Sequence, residues 1–219
     1  VSNNLANTGT TAFKADLYAA QVKYRGDFNV DASALPNARD SVVDLSSGNI
    51  SFTGRDLDMA INGSGCMQVL TPGGEEVLSR RGDLRVDLDG RLVDGVGRQV
   101  MSETGPVAIQ PDATSIAIGS DGTISFAPPG NAGAARIALG RIMLVNPDPA
   151  DVTKGLDGEI RIEAGADAVP ATGTQVVAGA LESSNVNPIS AMVEMISLSR
   201  AFEAQSKTLK SADEMNESS

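Results

Sequence analysis

Few residues in this chain have side chains able to do chemistry. Two pairs of carboxylates stand one residue apart: Asp56 and Asp58 around Leu57, and Asp87 and Asp89 around Leu88. Paired carboxylates can exchange protons or hold a hard cation. Here each pair alternates with an apolar residue. In a strand that spacing puts both carboxylates on one solvated face, which is the simpler reading. Cys66 is the single cysteine, and the chain has no histidine. Cys66 therefore forms no internal disulfide and has no imidazole to activate it, so a buried core position is expected. The lack of histidine excludes Ser-His-Asp and Cys-His catalysis within the chain and removes the commonest metal ligand. Gly63-Ser64-Gly65 lacks the Gly-Lys-Ser/Thr of a phosphate loop and the third glycine of a dinucleotide fingerprint. It is expected to be a tight turn between Ile61 and Met67. Neither a cofactor nor a metal is expected, and Asp213, Glu214 and Glu217 read as a solvated chain end.

The elements that must position these residues follow from composition and punctuation. The chain has 219 residues, with 17 Lys+Arg against 28 Asp+Glu, for a net charge of −11. Such a charge opposes nucleic acid and anionic membrane as partners. Aromatic residues are 3% of the chain, with no Trp, so the core is expected to be aliphatic. No apolar run reaches the ~18 residues of a membrane-spanning helix, and no leader peptide is visible. Residue 1 is Val, so the numbering is expected to begin inside a longer protein.

Residues 1–16 read as the end of an N-terminal helical segment, closed by Asn7 to Gly9. Residues 17–48 read as an extended linker. Residues 49–182 read as an antiparallel, hairpin-rich β domain. Asp89-Gly90 stands between Leu84/Val86 and Leu92/Val93, and Asp121-Gly122 between Ile116/Ile118 and Ile124/Phe126. Both are expected to be hairpins with type I′ turns, which need positive φ at both central residues. Pro72-Gly73-Gly74 marks a third hairpin. Arg136 to Val145 is expected to be one long strand or two joined at Gly140. Residues 183–219 are glycine-free and read as a helix, with Asn187 as N-cap and Pro188 in the first turn. Ile189, Met192, Val193, Met195, Ile196, Leu198, Ala201 and Phe202 give it a wide apolar arc, with Leu209 further on. A helix from Pro188 to about Asp213 would be ~39 Å long at 1.5 Å per residue. It would project beyond a β domain and need partners for its arc.

Four segments, in order along the chain, carry a resemblance. They are Asn3-Asn4-Leu5-Ala6-Asn7 with Ala12-Phe13-Lys14-Ala15-Asp16; Thr53-Gly54-Arg55-Asp56-Leu57-Asp58 running on to Gly63; Arg80-Arg81-Gly82-Asp83-Leu84 with Asp89-Gly90-Arg91-Leu92-Val93; and Glu182-Ser183-Ser184-Asn185-Val186-Asn187-Pro188 with Ala191-Met192-Val193-Glu194-Met195-Ile196. Together they resemble the flagellar rod and hook protein family. The short connection between the Phe13 and Thr53 segments suits its proximal-rod type. Cys66-Met67 stand where the family usually has two aromatic residues.

The resemblance implies a mainly β body flanked by terminal helical segments that form a coiled-coil-like inner layer on assembly. It implies a structural rod subunit, not an enzyme, that stacks helically with itself and neighbouring rod proteins and transmits torque towards the hook. It further implies a place in the periplasm-spanning rod of the basal body, reached without a cleaved signal peptide. The expected assembly interface comprises Asn3, Asn4, Leu5, Asn7 and Phe13 at one end, and Asn185, Asn187, Ile189, Met192, Val193, Met195, Ile196, Phe202 and Leu209 at the other. The alternatives are a distal-rod or hook-type subunit of the same family, a histidine-independent carbohydrate-acting β enzyme, or a monomeric binding module. Carboxylates about 5–10 Å apart in one cleft would favour the enzyme.

Overall fold

A computed structural model describes residues 1–18, 41–110, 113–128, 135–155, 157–163, 166, 169–171 and 173–217. A short helix α1 (Ser2–Ala6) ends at Asn7, as the Asn-Thr-Gly run suggests. It leads into β1 (Asp16–Tyr18). Then come β2 (Ser41–Val43), β3 (Ile50–Phe52), β4 (Met59–Asn62), β5 (Cys66–Leu70), β6 (Glu76–Ser79), β7 (Arg85–Val86), β8 (Leu92–Val93), β9 (Gln99–Ser102) and β10 (Gly105–Pro106). After them come β11 (Thr114–Ile118), β12 (Thr123–Ala127), β13 (Ile137–Arg141), β14 (Leu144–Val145), β15 (Val152–Lys154), β16 (Ile160–Ile162), β17 (Gln175–Ala178) and β18 (Ala180–Glu182). The last element is the long helix α2 (Pro188–Glu217).

The architecture is mainly antiparallel β, as composition and punctuation predict. One sheet runs β15-β16-β6-β5-β9-β8-β7, with β10 on β9 and β14 on β5. A three-stranded sheet is ordered β11-β12-β13, and β17-β4, β18-β3 and β1-β2 form pairs. Of the stretch 17–48, residues 19–40 lie outside the described residues. Its ends pair as β1 and β2, with Leu17 opposite Val42.

Period-2 alternation on β5 and β6 buries both faces. Met67, Val69 and Val77 join Met59, Ile61, Leu84, Leu92, Val100 and Ile124 in the larger core, while Cys66 and Leu78 join Val43, Val145, Val152 and Ile160 in a smaller one. Both clusters are aliphatic, as the aromatic-poor composition requires.

Three expectations are corrected. The Asp-Gly hairpins exist, but their turns are not type I′. Among the described non-glycine residues only Ala12 and Ser115 have positive φ, so the aspartates do not adopt the conformation that type needs. In each turn one glycine alone is left-handed, Gly90 at φ 78° and Gly122 at φ 83°. Gly90 N–H donates to Asp87 O and Asp87 N–H to Arg91 O; Gly122 and Gly119 repeat this with Thr123. This is a three-residue loop closed by a glycine bulge. The turns Thr71–Glu75, Asp94–Arg98 and Gly155–Glu159 close with the same pair of bonds.

The second correction concerns Arg136 to Val145. The break falls after Arg141, not at Gly140, because β13 pairs with β12 whereas β14 crosses to β5. The third concerns the carboxylates. Asp58 is buried rather than solvated, and Asp87 and Asp89 sit on a turn, not on a strand face.

Candidate assembly site

The terminal segments meet the β body at one junction, and three charges are buried there. Glu182, at the end of β18, accepts hydrogen bonds on Oε1 from Lys14 Nζ at 2.6 Å and from Gly48 N–H at 2.8 Å. Its Oε2 accepts Arg80 Nε at 2.8 Å. All three side chains have at most 1% of their surface exposed. Every Arg80 N–H has a partner. Nη1 donates to the carbonyls of Gly63 and Gly65, and Nη2 donates to Ile61 O and Ser47 Oγ. The Gly63-Ser64-Gly65 turn thus presents carbonyl oxygens to a cation, the reverse of a phosphate cradle. Burial pulls the Lys14 ammonium below its ordinary range, and the hydrogen bond it donates to Glu182 offsets this only in part. Cys66 lies beside the triad, fully buried. Desolvation pushes its thiol up to about 11.

The asparagines expected at the assembly interface hold this junction together. Asn4 donates to Asp16 O and accepts Asp16 N–H. From the other side, Asn185 Oδ1 accepts Ala15 N–H while its Nδ2 donates to Asp44 O. Asn3 donates to the Asp16 carboxylate. Asn7 donates back to Asn3 and accepts from Thr10. Phe13 lies under Lys154 Nζ, 3.9 Å from the ring centroid. That ammonium also reaches Lys14 O and the Asp16 carboxylate.

Asn187 caps α2 through its Oδ1, which accepts Ile189 N–H at 2.9 Å and Ser190 N–H at 3.2 Å. The helix turns ~100° per residue, so its apolar residues divide into two faces. Ala191, Met195, Leu198 and Phe202 follow four- and three-residue steps, continuing through Gln205 to Leu209, whose side chain lies outside the described residues. Ala191 is buried and Met195 half-buried, and α1 contacts this helix; Leu198 and Phe202 are exposed. The opposite face carries Ile189, Met192, Val193 and Ile196, each more than half exposed.

The carboxylate pairs are taken up locally. Asp58 accepts Thr53 Oγ1 at 2.6 Å and lies 3.6 Å from Arg55 Nε. Asp87 and Asp89 both hold Arg91. Sequence reasoning missed the triad itself. The available signal was that Lys14, Arg80 and Glu182 each stand in a separate one of the four recurring segments.

Two family models match this chain. The flagellar hook protein FlgE/F/G D1 domain covers residues 60–126, and the flagellar basal body rod FlgEFG protein C-terminal region covers residues 177–219. The flagellar basal-body rod protein FlgF of Escherichia coli strain K12 is 35% identical over 97% of this chain and 86% of its own length. The FlgF of Caulobacter vibrioides is 33% identical over 100% of this chain and 88% of its own. The flagellar basal-body rod protein FlgG of Buchnera aphidicola subsp. Schizaphis graminum is 30% identical over 98% and 89%. That alignment extends over 251 positions against 219 for the Escherichia coli FlgF, so the FlgG match needs more gaps.

Proposed function

Because the chain belongs to the flagellar basal-body rod proteins, of the FlgF type, we propose that it stacks helically in the proximal rod, with α1 and α2 in an inner layer and the β body outside. It is a structural subunit of the rod in the flagellar basal body, and it assembles with other rod subunits. The carbohydrate-acting alternative has no support from these relatives. In the proposed arrangement the rod crosses the periplasm, and torque passes from the helical layer through the Lys14–Glu182–Arg80 junction into the β body and onward to the hook. The partners are further copies of this chain and neighbouring rod proteins.

The observation that carries this reading is the apolar seam on α2. Its steps of three and four are those of a coiled coil, and its burial falls from Ala191, which is buried, to Leu198 and Phe202, which are exposed. Helix stability in water depends on burying such a face, so Leu198 and Phe202 call for a neighbouring helix. The test is Phe202→Asp. A buried, unpaired carboxylate costs several kcal/mol, whereas the same residue on a free subunit meets water. Purified basal bodies should lose the chain and cells should stop swimming, while circular dichroism and melting of the β body stay unchanged. Normal incorporation of Phe202→Asp would overturn the inner-layer arrangement.

A further inference from the structure

Five steps in the chain place glycine after an asparagine or aspartate: Asn62-Gly63, Asp89-Gly90, Asp94-Gly95, Asp121-Gly122 and Asp157-Gly158. At such a step the glycine nitrogen has no Cβ beside it and can reach the Cγ of the preceding side chain. The structure separates Asn62-Gly63 from the other four. We propose that it is a site of spontaneous deamidation, and that its isoaspartyl product loosens the buried anchoring of Arg80. Asn62 is the last residue of β4, and both it and Gly63 are exposed. Among the described residues, neither the Asn62 side-chain amide nor the Gly63 N–H has a hydrogen-bond partner. There is room for the reaction, since the nearest neighbour, Thr174, lies 3.9 Å from where a Cβ would stand on Gly63. Ring closure turns Asn62 out of its extended conformation, and this opens only the end rung of the ladder, Asn62 opposite Gln175.

The four aspartates are held against the same ring closure. Asp89 Oδ2 accepts Arg91 Nη2, and Asp121 accepts both the N–H and the Oγ1 hydroxyl of Thr123. Asp157 accepts Glu159 N–H and two nitrogens of Arg161. Asp94 is buried, and its carboxylate takes Val96 N–H, Arg98 N–H and Arg98 Nε. At three of these steps the attacking nitrogen is engaged as well. Gly90 N–H donates to Asp87 O, Gly122 N–H to Gly119 O and Gly158 N–H to Gly155 O. An ionised carboxylate is also a poorer electrophile than the amide of Asn62.

In the reaction the Gly63 nitrogen loses its proton and bonds to Asn62 Cγ, and the side-chain nitrogen leaves as ammonia. Water then opens the cyclic imide at either carbonyl. One opening gives an aspartyl residue. The other gives an isoaspartyl residue, in which the main chain runs through Cβ and gains an atom between Ile61 and Gly63. Both of those carbonyls hold Arg80: Ile61 O accepts Nη2 at 2.8 Å and Gly63 O accepts Nη1 at 3.0 Å. The guanidinium is a rigid planar fork, so it cannot follow one carbonyl without leaving the other. The strain reaches Glu182, because the same guanidinium gives it Nε.

The test is to age the purified chain in mildly alkaline buffer, which favours loss of the glycine N–H proton, and to map its peptides by mass. An isoaspartyl methyltransferase with a labelled methyl donor marks the isoaspartyl product. The peptide spanning Asn62 should show the mass change of amide to acid and take the label. Its label should exceed that of each Asp-Gly peptide by about tenfold or more, since the aspartates must first break the hydrogen bonds around the reacting groups. Asn62→Gln, whose longer side chain would have to close a larger ring, should stay unlabelled. Aged wild type should melt below fresh wild type, while Asn62→Gln melts alike fresh and aged. Fresh Asn62→Asp, which adds the charge without the extra main-chain atom, should melt as fresh wild type does. An Asn62 peptide labelled no more than the Asp-Gly peptides would overturn the site. Labelling at Asn62 without a change in melting, or an equal loss in fresh Asn62→Asp, would overturn the link through the main chain to Arg80.

Discussion

At the scale of single residues, the chain's least replaceable chemistry is the buried triad. Two cations and one anion are desolvated together, and Glu182 is the only carboxylate among the three. Glu182→Gln keeps the shape and leaves Lys14 and Arg80 facing each other without an anion. It should cost roughly 3–5 kcal/mol in urea unfolding, the range for breaking a buried pair. Adding Lys14→Met should recover part of that loss, and strictly additive effects in the double-mutant cycle would show that the triad is not coupled. Cys66 predicts a pH dependence. Its thiol rises from 9.0 to about 11 in the folded chain because burial disfavours the thiolate. A raised acid contributes stability that is complete below pH 9 and is lost as pH climbs through 11, by about 2–3 kcal/mol in all. Lys14 acts the other way: its lowered pKa means that its burial penalty fades as pH approaches 10.5. The informative quantity is therefore the difference between wild type and Cys66→Ala in melts from pH 8 to 11, where the variant should lose less stability. Identical slopes would show that the thiol does not couple to folding. The buried place of Cys66 was legible from the absence of any partner for it. The triad was not, because its members lie 66 and 102 positions apart in sequence and only the tertiary fold brings them together.

At the scale of elements, the β body is built on one repeated device. Five turns close with the same two backbone bonds, each with a left-handed glycine in fourth place. Two of them share an Asp-x-x-Gly-Arg pattern, Asp87–Arg91 and Asp94–Arg98. In both, the first carboxylate accepts two N–H groups of the turn and the guanidinium that follows. Arg98 also bonds Glu159 and Ser79, which ties its turn to two other hairpins. The hairpins were legible because glycine marks the one position where a Cβ is penalised. The turn type was not legible, since Asp-Gly fits both a two-residue loop and the end of a three-residue loop. The handover from β13 to β14 was invisible for a related reason: apolar residues on both sides of Gly140-Arg141 carry no mark of which sheet each half joins. Gly90→Ala tests the device. At φ 78° an alanine is strained by about 1–2 kcal/mol, and its Cβ would also lie 2.6 Å from Ile109 O. Gly158→Ala, at φ 80° in open space, carries the strain alone. Thermal melts should therefore rank Gly90→Ala below Gly158→Ala, with both below wild type. The reverse order would mean that this turn relaxes freely.

At the scale of the whole molecule, two kinds of surface follow from where charge and apolar area fall. The β body buries most of its aliphatic residues in its own two cores, so it is expected to fold without a partner. Helix α2 does not. Its seam residues Leu198 and Phe202 and its opposite face of Ile189, Met192, Val193 and Ile196 all remain exposed. That division predicts where a charge hurts. Met192→Asp and Ile196→Asp change residues outside both cores, and in the free subunit each carboxylate is solvated at little cost. Between packed helices the same carboxylate is desolvated without a cation, at several kcal/mol, enough to shift assembly by a thousandfold or so. Glu217→Ala, in the acidic run that ends the sequence, is the control and should have little effect. Amide exchange of the monomer completes the test. Helix stability comes chiefly from packing, so Ile189 to Leu209 should be weakly protected before assembly and strongly protected in the rod. If Met192→Asp cells swim with rods of normal composition, the opposite face of α2 is not an assembly surface. If Met192→Asp instead lowers the melting temperature of the β body, the helix belongs to that body's own packing, and the division between self-folding body and partner-dependent helix fails.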